Sequence, residues 1–182
     1  MGDITEPEPV LLVLAAFSRH PAALDWAKAR AETEFGPVKL ASPRFSFVET
    51  AYYEPTMGAG IQKCFWAFER LIDPVELVAI KRATNAWEAE YAKSAAHDEP
   101  RPLNLDPGYI TAAKLVLAST KDHAHRIYLS DGIFAEVTLF YKDRAWQHRD
   151  WTFPDYRRAD YQQFFSECRD DLRRRQREGR SR

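Results

Sequence analysis

Hydrophobic and polar positions at the start of the chain predict a buried strand followed by an amphipathic helix. Val10 to Phe17 is a run of eight apolar residues with polar residues on both sides, a pattern typical of a fully buried strand. Pro21 is suited to the first turn of a following helix, and Gly36-Pro37 ends it. The apolar face of that helix consists of Leu24, Ala27, Ala31 and Phe35.

Two further strands and a long helix are predicted next. Phe45 to Tyr53 is rich in aromatic and β-branched residues, which favours a strand, and Ile61 to Phe68 is typical of its antiparallel partner. Asp73-Pro74-Val75-Glu76 combines a capping residue, a proline at the first helical position and a capping-box acid, so a helix begins here. It runs to about Ser94, and the polar, proline-rich residues 95–102 form a surface loop. The buried stripe of this helix comprises Ile80, Ala83, Trp87 and Tyr91.

The second half of the chain begins with a short strand and a helix and continues with a β-hairpin. We predict the strand at Leu103 to Leu105 and the helix from Asp106 to Ser119. Asp131-Gly132 favours a two-residue type I′ turn, and it lies between strands at His125 to Ser130 and Ile133 to Tyr141.

These elements together predict an α+β fold with a mixed or antiparallel sheet. The first half has the strand-helix-strand-strand-helix-strand order of ferredoxin-like folds, and the hairpin and a C-terminal helix after Pro154 complete the chain. We expect residues 1–182 to form a single domain, with flexible tails at 1–8 and 176–182. The apolar face of the last helix comprises Tyr161, Phe164, Phe165, Cys168 and Leu172.

Composition and charge narrow the class of protein. With 45% hydrophobic residues and a net charge of −1, the chain is typical of a globular protein without an overall field toward nucleic acid or an anionic membrane. Cys64 and Cys168 are too few for a disulfide framework, so we expect buried free thiols. The apolar run from Val10 is too short to span a membrane and no export signal precedes it, which indicates the cytoplasm.

The chain has no P-loop and no dinucleotide fingerprint. The candidate catalytic and ligand-binding residues are instead concentrated in the segment 104–138. Asp106-Pro107-Gly108-Tyr109 indicates either a turn or a capped helix start whose backbone N–H groups face an anion. The candidate ligand- or phosphate-binding residues are Asn104, Tyr109, Lys114, Thr120, Lys121 and Arg126. The candidate catalytic residues are Asp106, His125 and Glu136.

The hairpin turn predicts which of these side chains meet. With Asp131-Gly132 in the turn, Ile127 pairs with Glu136, and His125 becomes a diagonal neighbour of Glu136 on the same face, about 7 Å away. Arg126 lies on the opposite face, which the apolar residues of the second strand share. A histidine oriented by a carboxylate is suited to general-base chemistry or metal binding, and it is also an ordinary way for a sheet to satisfy two polar groups.

Two other polar features have alternative interpretations. His123 and His125 alternate as two metal ligands do, but we predict no metal site and name no cofactor. Basic side chains near the C-terminus are suited to RNA or another acidic partner, although Asp170, Asp171 and Glu178 among them favour a solvated helix end. These basic residues are Arg169, Arg173, Arg174, Arg175, Arg177, Arg180 and Arg182.

Long motifs along most of the chain carry a resemblance to a known family. In the first half they are Phe45-x-Phe47, Tyr52-Tyr53-Glu54, Met57-Gly58, Leu71-Ile72-Asp73-Pro74, Ile80-Lys81 and Thr84-Asn85. In the second half they are Asn104 to Tyr109, Lys114 to Leu117, Ser119 to Asp122, His125 to Leu129, Gly132-Ile133, Ala135 to Leu139 and Trp151-Thr152-x-Pro154-Asp155-Tyr156. From about Val10 to Arg173 the chain resembles the bacterial and archaeal domain-of-unknown-function family 4416.

The resemblance implies no settled activity. Members of the family often carry an automatic "GTP-binding protein" name, but Thr120-Lys121-Asp122 lacks the spacer residue of the guanine-reading Thr-Lys-x-Asp motif. Since the chain also lacks a P-loop, we expect no P-loop GTPase activity. His123 is not a fixed histidine in the family pattern, whereas His125 and Arg126 fall within a matched motif.

Two functional hypotheses of different class follow. In the first, the domain binds a phosphorylated small molecule or a nucleotide, with cationic side chains on the phosphate and acid–base chemistry at His125. In the second, it is a non-catalytic module that binds a protein or RNA through exposed aromatic residues and the arginine-rich C-terminus. The first is favoured, with no membrane partner and no general affinity for nucleic acid, and the sequence leaves the oligomeric state open.

Overall fold

The structure, a computed structural model, describes residues 2–94 and 97–180. Its strands are β1 (Val10–Ser18), β2 (Val38–Ala41), β3 (Phe45–Ser46), β4 (Gln62–Ile72), β5 (Asn104–Ile110), β6 (Lys114–Ser119), β7 (Ile127–Ser130), β8 (Ile133–Lys142) and β9 (Ala145–His148). Its α-helices are α1 (Pro21–Phe35), α2 (Glu54–Met57), α3 (Leu77–Ser94) and α4 (Ala159–Arg180). Short 3-10 helices occupy Pro74–Glu76 and Pro154–Arg157.

The strands form one antiparallel sheet in the order β2-β4-β1-β5-β6-β8-β7, with β3 added to β4 and β9 added to β8. The predicted α+β class is therefore confirmed. The ferredoxin-like order is not confirmed as such, because the strand predicted at Phe45 to Tyr53 is hardly formed and the sheet continues well beyond β5.

Helices cover both faces of the sheet at its centre. On one face, alternate residues of β1 pack in a cluster with side chains of α1 and α3. On the other face, the intervening residues pack with α4. The run from Val10 to Phe17 thus lies between β4 and β5 with every residue buried, as its unbroken hydrophobicity predicts.

The start of the long helix follows the predicted capping box. The Asp73 carboxylate accepts from the Val75 N–H at 2.9 Å, and the Glu76 carboxylate accepts from the Asp73 N–H at 2.9 Å. The predicted helix from Pro74 to Ser94 is confirmed, with its first turn in the 3-10 form. The loop predicted at 95–102 is present from His97 onward, and Ala95 and Ala96 lie outside the described residues.

The strand predicted at Phe45 to Tyr53 is wrong for most of its length. Only Phe45 and Ser46 pair with β4, and the chain then turns into α2. Its aromatic residues form a small buried cluster instead, in which Phe47 and Tyr53 pack around Phe17 with ring centroids 5.5 and 5.1 Å away. The short β2, which pairs with β4 instead, was not predicted.

The helix predicted from Asp106 to Ser119 is also wrong, since this segment forms β5 and β6. The backbone of Gly108 faces that of β6 so closely that a Cβ atom there would lie 2.3 Å from the Val116 carbonyl oxygen. Glycine therefore permits strand contact here rather than a turn or a helix start, and pairing with β1 extends the strand across Pro107.

The hairpin forms at the predicted turn but with a different register. Asp131 and Gly132 have φ values of 51° and 76°, as a type I′ turn requires, and Ser130 pairs with Ile133. A register shift between Tyr128 and Ser130 then places Ile127 opposite Ala135 rather than Glu136. The bulge moves the preceding residues by one position, so Arg126 reaches the Glu136 side chain instead of the opposite face.

The C-terminal helix packs as predicted and uses several of its arginines within the chain. Its predicted apolar face is buried, and both cysteines are buried free thiols. Arg169 donates to the Ala112 carbonyl at 2.7 Å and Arg175 to the Glu69 carbonyl at 2.6 Å. The helix continues to Arg180, into the segment predicted as a flexible tail, while Arg182 lies outside the described residues. No helix in the described part of the chain is long and apolar enough to cross a membrane.

Candidate functional site

A cleft of about 970 Å³ opens at one end of the sheet. Its walls come from the loop before α2, from α3, from β4, β5, β6 and β8, and from the 3-10 helix at Pro154–Arg157. The lysines and arginines that line it are Lys63, Lys81, Arg101, Lys121 and Arg126, and His123 lines it as well. The acidic residues that line it are Glu49, Glu88, Asp106, Glu136 and Asp155.

The cleft exists because the sheet separates between β5 and β6. Pairing of these strands is confined to Gly108–Ile110 and Leu115–Leu117, so the first half of β5 has no β6 partner. Side chains of α3 satisfy the backbone there: Glu88 accepts from the Leu105 N–H at 2.7 Å, and Lys81 donates to the Leu105 carbonyl at 2.9 Å. The helix thus supplies the two hydrogen bonds that a neighbouring strand normally makes.

Two carboxyl groups beside the unpaired half of β5, Glu88 and Asp106, have pKa values shifted in opposite directions. Burial raises the pKa of Glu88 to about 7, although the Lys81 ammonium, the Leu105 N–H and Arg101 act in the other direction. Burial also raises the pKa of Asp106, but the charges of Lys81 and Lys63 and the hydrogen bonds from Lys81 and Asn104 outweigh it, so the net pKa is below its usual value. A carboxylate beside an acid that titrates near neutrality is an arrangement suited to proton transfer.

A buried ion pair forms the floor of the cleft. Lys63 and Asp155 have side chains only 3% and 5% exposed, and the ammonium lies 2.6 Å from a carboxylate oxygen. Aromatic rings surround the cation, the nearest being Tyr156 with its centroid 4.4 Å away and Phe17 at 4.9 Å. The rings and the carboxylate together compensate for the loss of water around the ammonium.

Arg126 fixes the hairpin side of the cleft. Its Nε donates to a Glu136 carboxylate oxygen at 2.8 Å, and its Nη1 donates to the Ser119 hydroxyl at 2.7 Å and the Lys121 carbonyl at 3.0 Å. Glu136 is 2% exposed, so its carboxylate is closed off from solvent at this point. These hydrogen bonds of the guanidinium hold the loop after β6 against β8.

His125 lies next to Glu136 as predicted but outside the cleft lining. Its Nε2 is 3.4 Å from a Glu136 carboxylate oxygen, which confirms the predicted proximity. The imidazole stacks on Trp151 and on His123, with ring centroids 5.5 and 5.8 Å away. Within residues 2–94 and 97–180, neither His123 nor His125 belongs to a group of three or more potential metal ligands that lie close together.

Lys121 and Arg101 both act on an exposed tyrosine, Tyr52, at the mouth of the cleft. The Lys121 ammonium is 3.1 Å from the Tyr52 hydroxyl and 5.2 Å from the centre of its ring. The hydrogen bond and the charge of Lys121 lower the pKa of Tyr52, and the positive charge of Arg101 adds to this. Arg101 contacts Glu88 at 3.5 Å and the Asn104 side-chain carbonyl. The mouth of the cleft therefore carries two cationic side chains, Lys121 and Arg101.

Comparison with known proteins identifies the family of the chain. The family model described as Domain of unknown function (DUF4416) matches residues 8–172. The chain belongs to this family. No curated protein and no solved structure matches it significantly. The DUF4416 assignment agrees with the resemblance carried by the sequence motifs, and the description of the family names no activity.

The structure brings six of the nine predicted site residues of this DUF4416 chain to the cleft. They are Asn104, Asp106, Thr120, Lys121, Arg126 and Glu136. His125 adjoins the cleft only through Glu136. Tyr109 packs against the core, and Lys114 is exposed at the other end of β6 from Ser119.

The sequence alone does not indicate several residues of the cleft. They are Lys63, Lys81, Glu88, Arg101, Asp155 and Tyr52, and they come from segments that are far apart in the chain. A signal was present for three of them, because Tyr52, Lys81 and Asp155 lie within the motifs that carry the DUF4416 resemblance. Lys63, Glu88 and Arg101 had no such signal, since only the folded chain brings them to the cleft.

Proposed function

We propose that this cleft binds a phosphorylated small molecule or a nucleotide. The observation that carries the proposal is the pair of cations at the mouth. The Lys121 ammonium contacts the hydroxyl and ring of Tyr52, and Arg101 contacts a carboxyl group with a pKa of about 7. These two cations are thus incompletely neutralised, which favours an anionic group between them. A volume of about 970 Å³ suits a ligand of nucleotide size.

The remaining lining suits the organic part of such a ligand. Tyr52 and Phe153 line the cleft and are 65% and 40% exposed to solvent, so each ring offers a surface on which an aromatic base can stack. Behind them, Glu88 and Asp106 supply an acid and a base. If a reaction occurs, these two residues are better placed to transfer a proton to the ligand than His125, which lies outside the lining.

The alternative hypothesis, a protein- or RNA-binding module, receives less support. Arg169 and Arg175, which belong to the arginine-rich C-terminus, donate to carbonyl groups of the same chain. Since those charges are used to hold α4 on the fold, they contribute little to a surface for an acidic partner. We also expect the protein to act in the cytoplasm, as its sequence indicates.

The proposal is tested by a thermal-shift screen of the full chain against nucleotides and phosphorylated metabolites. A ligand at a hundred times its dissociation constant stabilises the fold by about 2.7 kcal/mol. The Lys121→Gln variant should bind at least roughly tenfold more weakly, because hydrogen bonds to charged groups contribute about 1.5–3 kcal/mol.

Lys114→Gln is the matched control, because it removes an exposed lysine from the other end of β6. We expect its affinity for the same ligand to equal that of the unmodified protein. The proposal fails if no phosphorylated compound stabilises the protein, or if both variants lose the same affinity.

A further inference from the structure

A second polar cluster lies where β1 meets α1, among residues that do not line the cleft. His20 is the residue before α1, and His97 and Glu99 belong to the loop after α3. One potential ligand atom from each lies within 4.8 Å of the others, and the His20 Nε2 is 2.9 Å from a Glu99 carboxylate oxygen. In the described part of the chain, these three form the one group of histidine, cysteine and acidic residues with such spacing.

The three side chains are held from outside the cluster. The Tyr91 hydroxyl lies 3.2 Å from His97 Nε2, which leaves Nδ1 as the other ring nitrogen. Arg19 donates to the second oxygen of Glu99 at 2.8 Å. The Ser18 hydroxyl accepts from the His20 N–H at 2.9 Å and donates to the Pro102 carbonyl at 2.5 Å, so the loop is tied to the end of β1. Outer contacts of this kind orient metal ligands in proteins.

The end of α2 leaves room for the carboxylate only because residue 58 is glycine. A Cβ atom on Gly58 would lie 2.6 Å from Arg19 Nη1 and 3.0 Å from Glu99 Oε1, and its φ of +75° also favours glycine. The backbone therefore packs directly against the Arg19–Glu99 pair. The side chains of His20 and Glu99 are 25% and 15% exposed, so the cluster is partly buried yet open to an ion from solvent.

We propose that His20, His97 and Glu99 bind a divalent transition-metal ion of the zinc class. Two imidazole nitrogens and one carboxylate oxygen form a donor set that zinc accepts, whereas calcium and magnesium prefer oxygen ligands alone. Tetrahedral bonds of about 2.0 Å place ligand atoms about 3.3 Å apart, so rotation of the side chains closes the group around the ion.

Metal binding requires the two stacked imidazole rings to rotate. The rings of His20 and His97 lie 3.8 Å apart at an interplanar angle of 23°, and each must turn one edge toward the ion. The fourth position is then available to water, since three protein ligands leave one tetrahedral site open. Binding would fix the loop that leads to Arg101 at the mouth of the cleft, but it requires no ligand in the cleft itself.

The site is tested by titrating the chelator-treated full chain with Zn²⁺ in a calorimeter and with Co²⁺ in a visible spectrometer. We expect one ion per chain and the visible absorption of tetrahedral Co²⁺. His97→Ala and Glu99→Gln should each weaken Zn²⁺ binding by more than roughly tenfold, because even outer partners of metal ligands contribute 10- to 100-fold.

His123→Ala is the control, since it removes an exposed histidine outside the cluster and should leave the affinity unchanged. Circular dichroism establishes that the variants fold, and the near-isosteric Glu99→Gln provides the test if His97→Ala does not. The proposal is overturned by the absence of saturable binding in the unmodified protein, by unchanged affinity in Glu99→Gln, or by an equal loss in His123→Ala.

Discussion

The perturbed carboxyl group of Glu88 leads to a prediction that links stability to pH. Glu88 accepts a hydrogen bond from the Leu105 N–H in a partly closed site, and burial raises its pKa from 4.5 to about 7. Glu88→Gln keeps a carbonyl oxygen for that N–H and removes the titration. We therefore expect the variant to be more stable than the unmodified protein at alkaline pH and to lose this advantage in acid.

The sign and size follow from proton linkage. Between pH 4.5 and 7 the folded protein keeps the Glu88 proton that the unfolded chain has released, so stability falls as pH rises through this window. Above pH 7 both states are ionised and the penalty is constant. The difference between 4.5 and about 7 corresponds to about 3 kcal/mol at 1.36 kcal/mol per pH unit, of which roughly 2 to 3 kcal/mol develops between pH 5 and pH 8.

Urea unfolding of both proteins at half-unit steps from pH 5 to pH 8 measures this difference. The free energy of unfolding of Glu88→Gln minus that of the unmodified protein should rise by about 2 to 3 kcal/mol across the series, by the same linkage. Glu90→Gln, which changes a largely exposed acid on the same helix, should show no such rise. A difference that does not vary with pH would refute the assignment of a raised pKa to Glu88.

Two other substitutions test the packing around the cleft. Asp155→Asn leaves the Lys63 ammonium buried without its carboxylate and should lower the free energy of unfolding in urea by about 3–5 kcal/mol. Asp150→Asn, at an exposed residue, is the control and should lower it little. Equal losses in the two variants would contradict the stabilising role of the buried pair. Gly108→Ala places a Cβ atom 2.3 Å from the Val116 carbonyl oxygen and should lower the melting temperature through a loss of about 3 kcal/mol. Gly179→Ala is its control, because a Cβ atom there meets nothing within 4 Å beyond the adjacent backbone of its own helix.

Elements with a strong local signal were predictable from the sequence. The run from Val10 to Phe17 has no polar residue that could face solvent, so only a strand covered on both sides satisfies it. The capping box at Asp73 and the turn at Asp131-Gly132 are equally local, because each depends on a few adjacent residues. In such segments tertiary contacts reinforce the local preference.

Predictions failed where contacts between distant segments decide the conformation. Asp106 to Tyr109 has the composition of a turn, yet pairing with β1 and the close approach of Val116 to Gly108 make it a strand. One extra residue in β7 near Leu129 was enough to bring Arg126, rather than His125 alone, onto Glu136. A bulge has no reliable local signature, and it shifts every preceding side chain by one position.

Some cleft residues beside Leu105 are needed to stabilise the fold, whereas others are available to bind a ligand. Glu88 and Lys81 must remain where they are in the free protein, because they satisfy the backbone of a strand that has lost its neighbour. The Lys121 side chain satisfies no backbone group of this kind, since in the described part of the chain its ammonium contacts only an exposed tyrosine. Changes at Lys81 should therefore reduce stability first and binding as a consequence, whereas changes at Lys121 should reduce binding while the melting temperature of the free protein is unchanged. Opposite behaviour would mean that the ligand contacts the opening itself and that the charged mouth only attracts it.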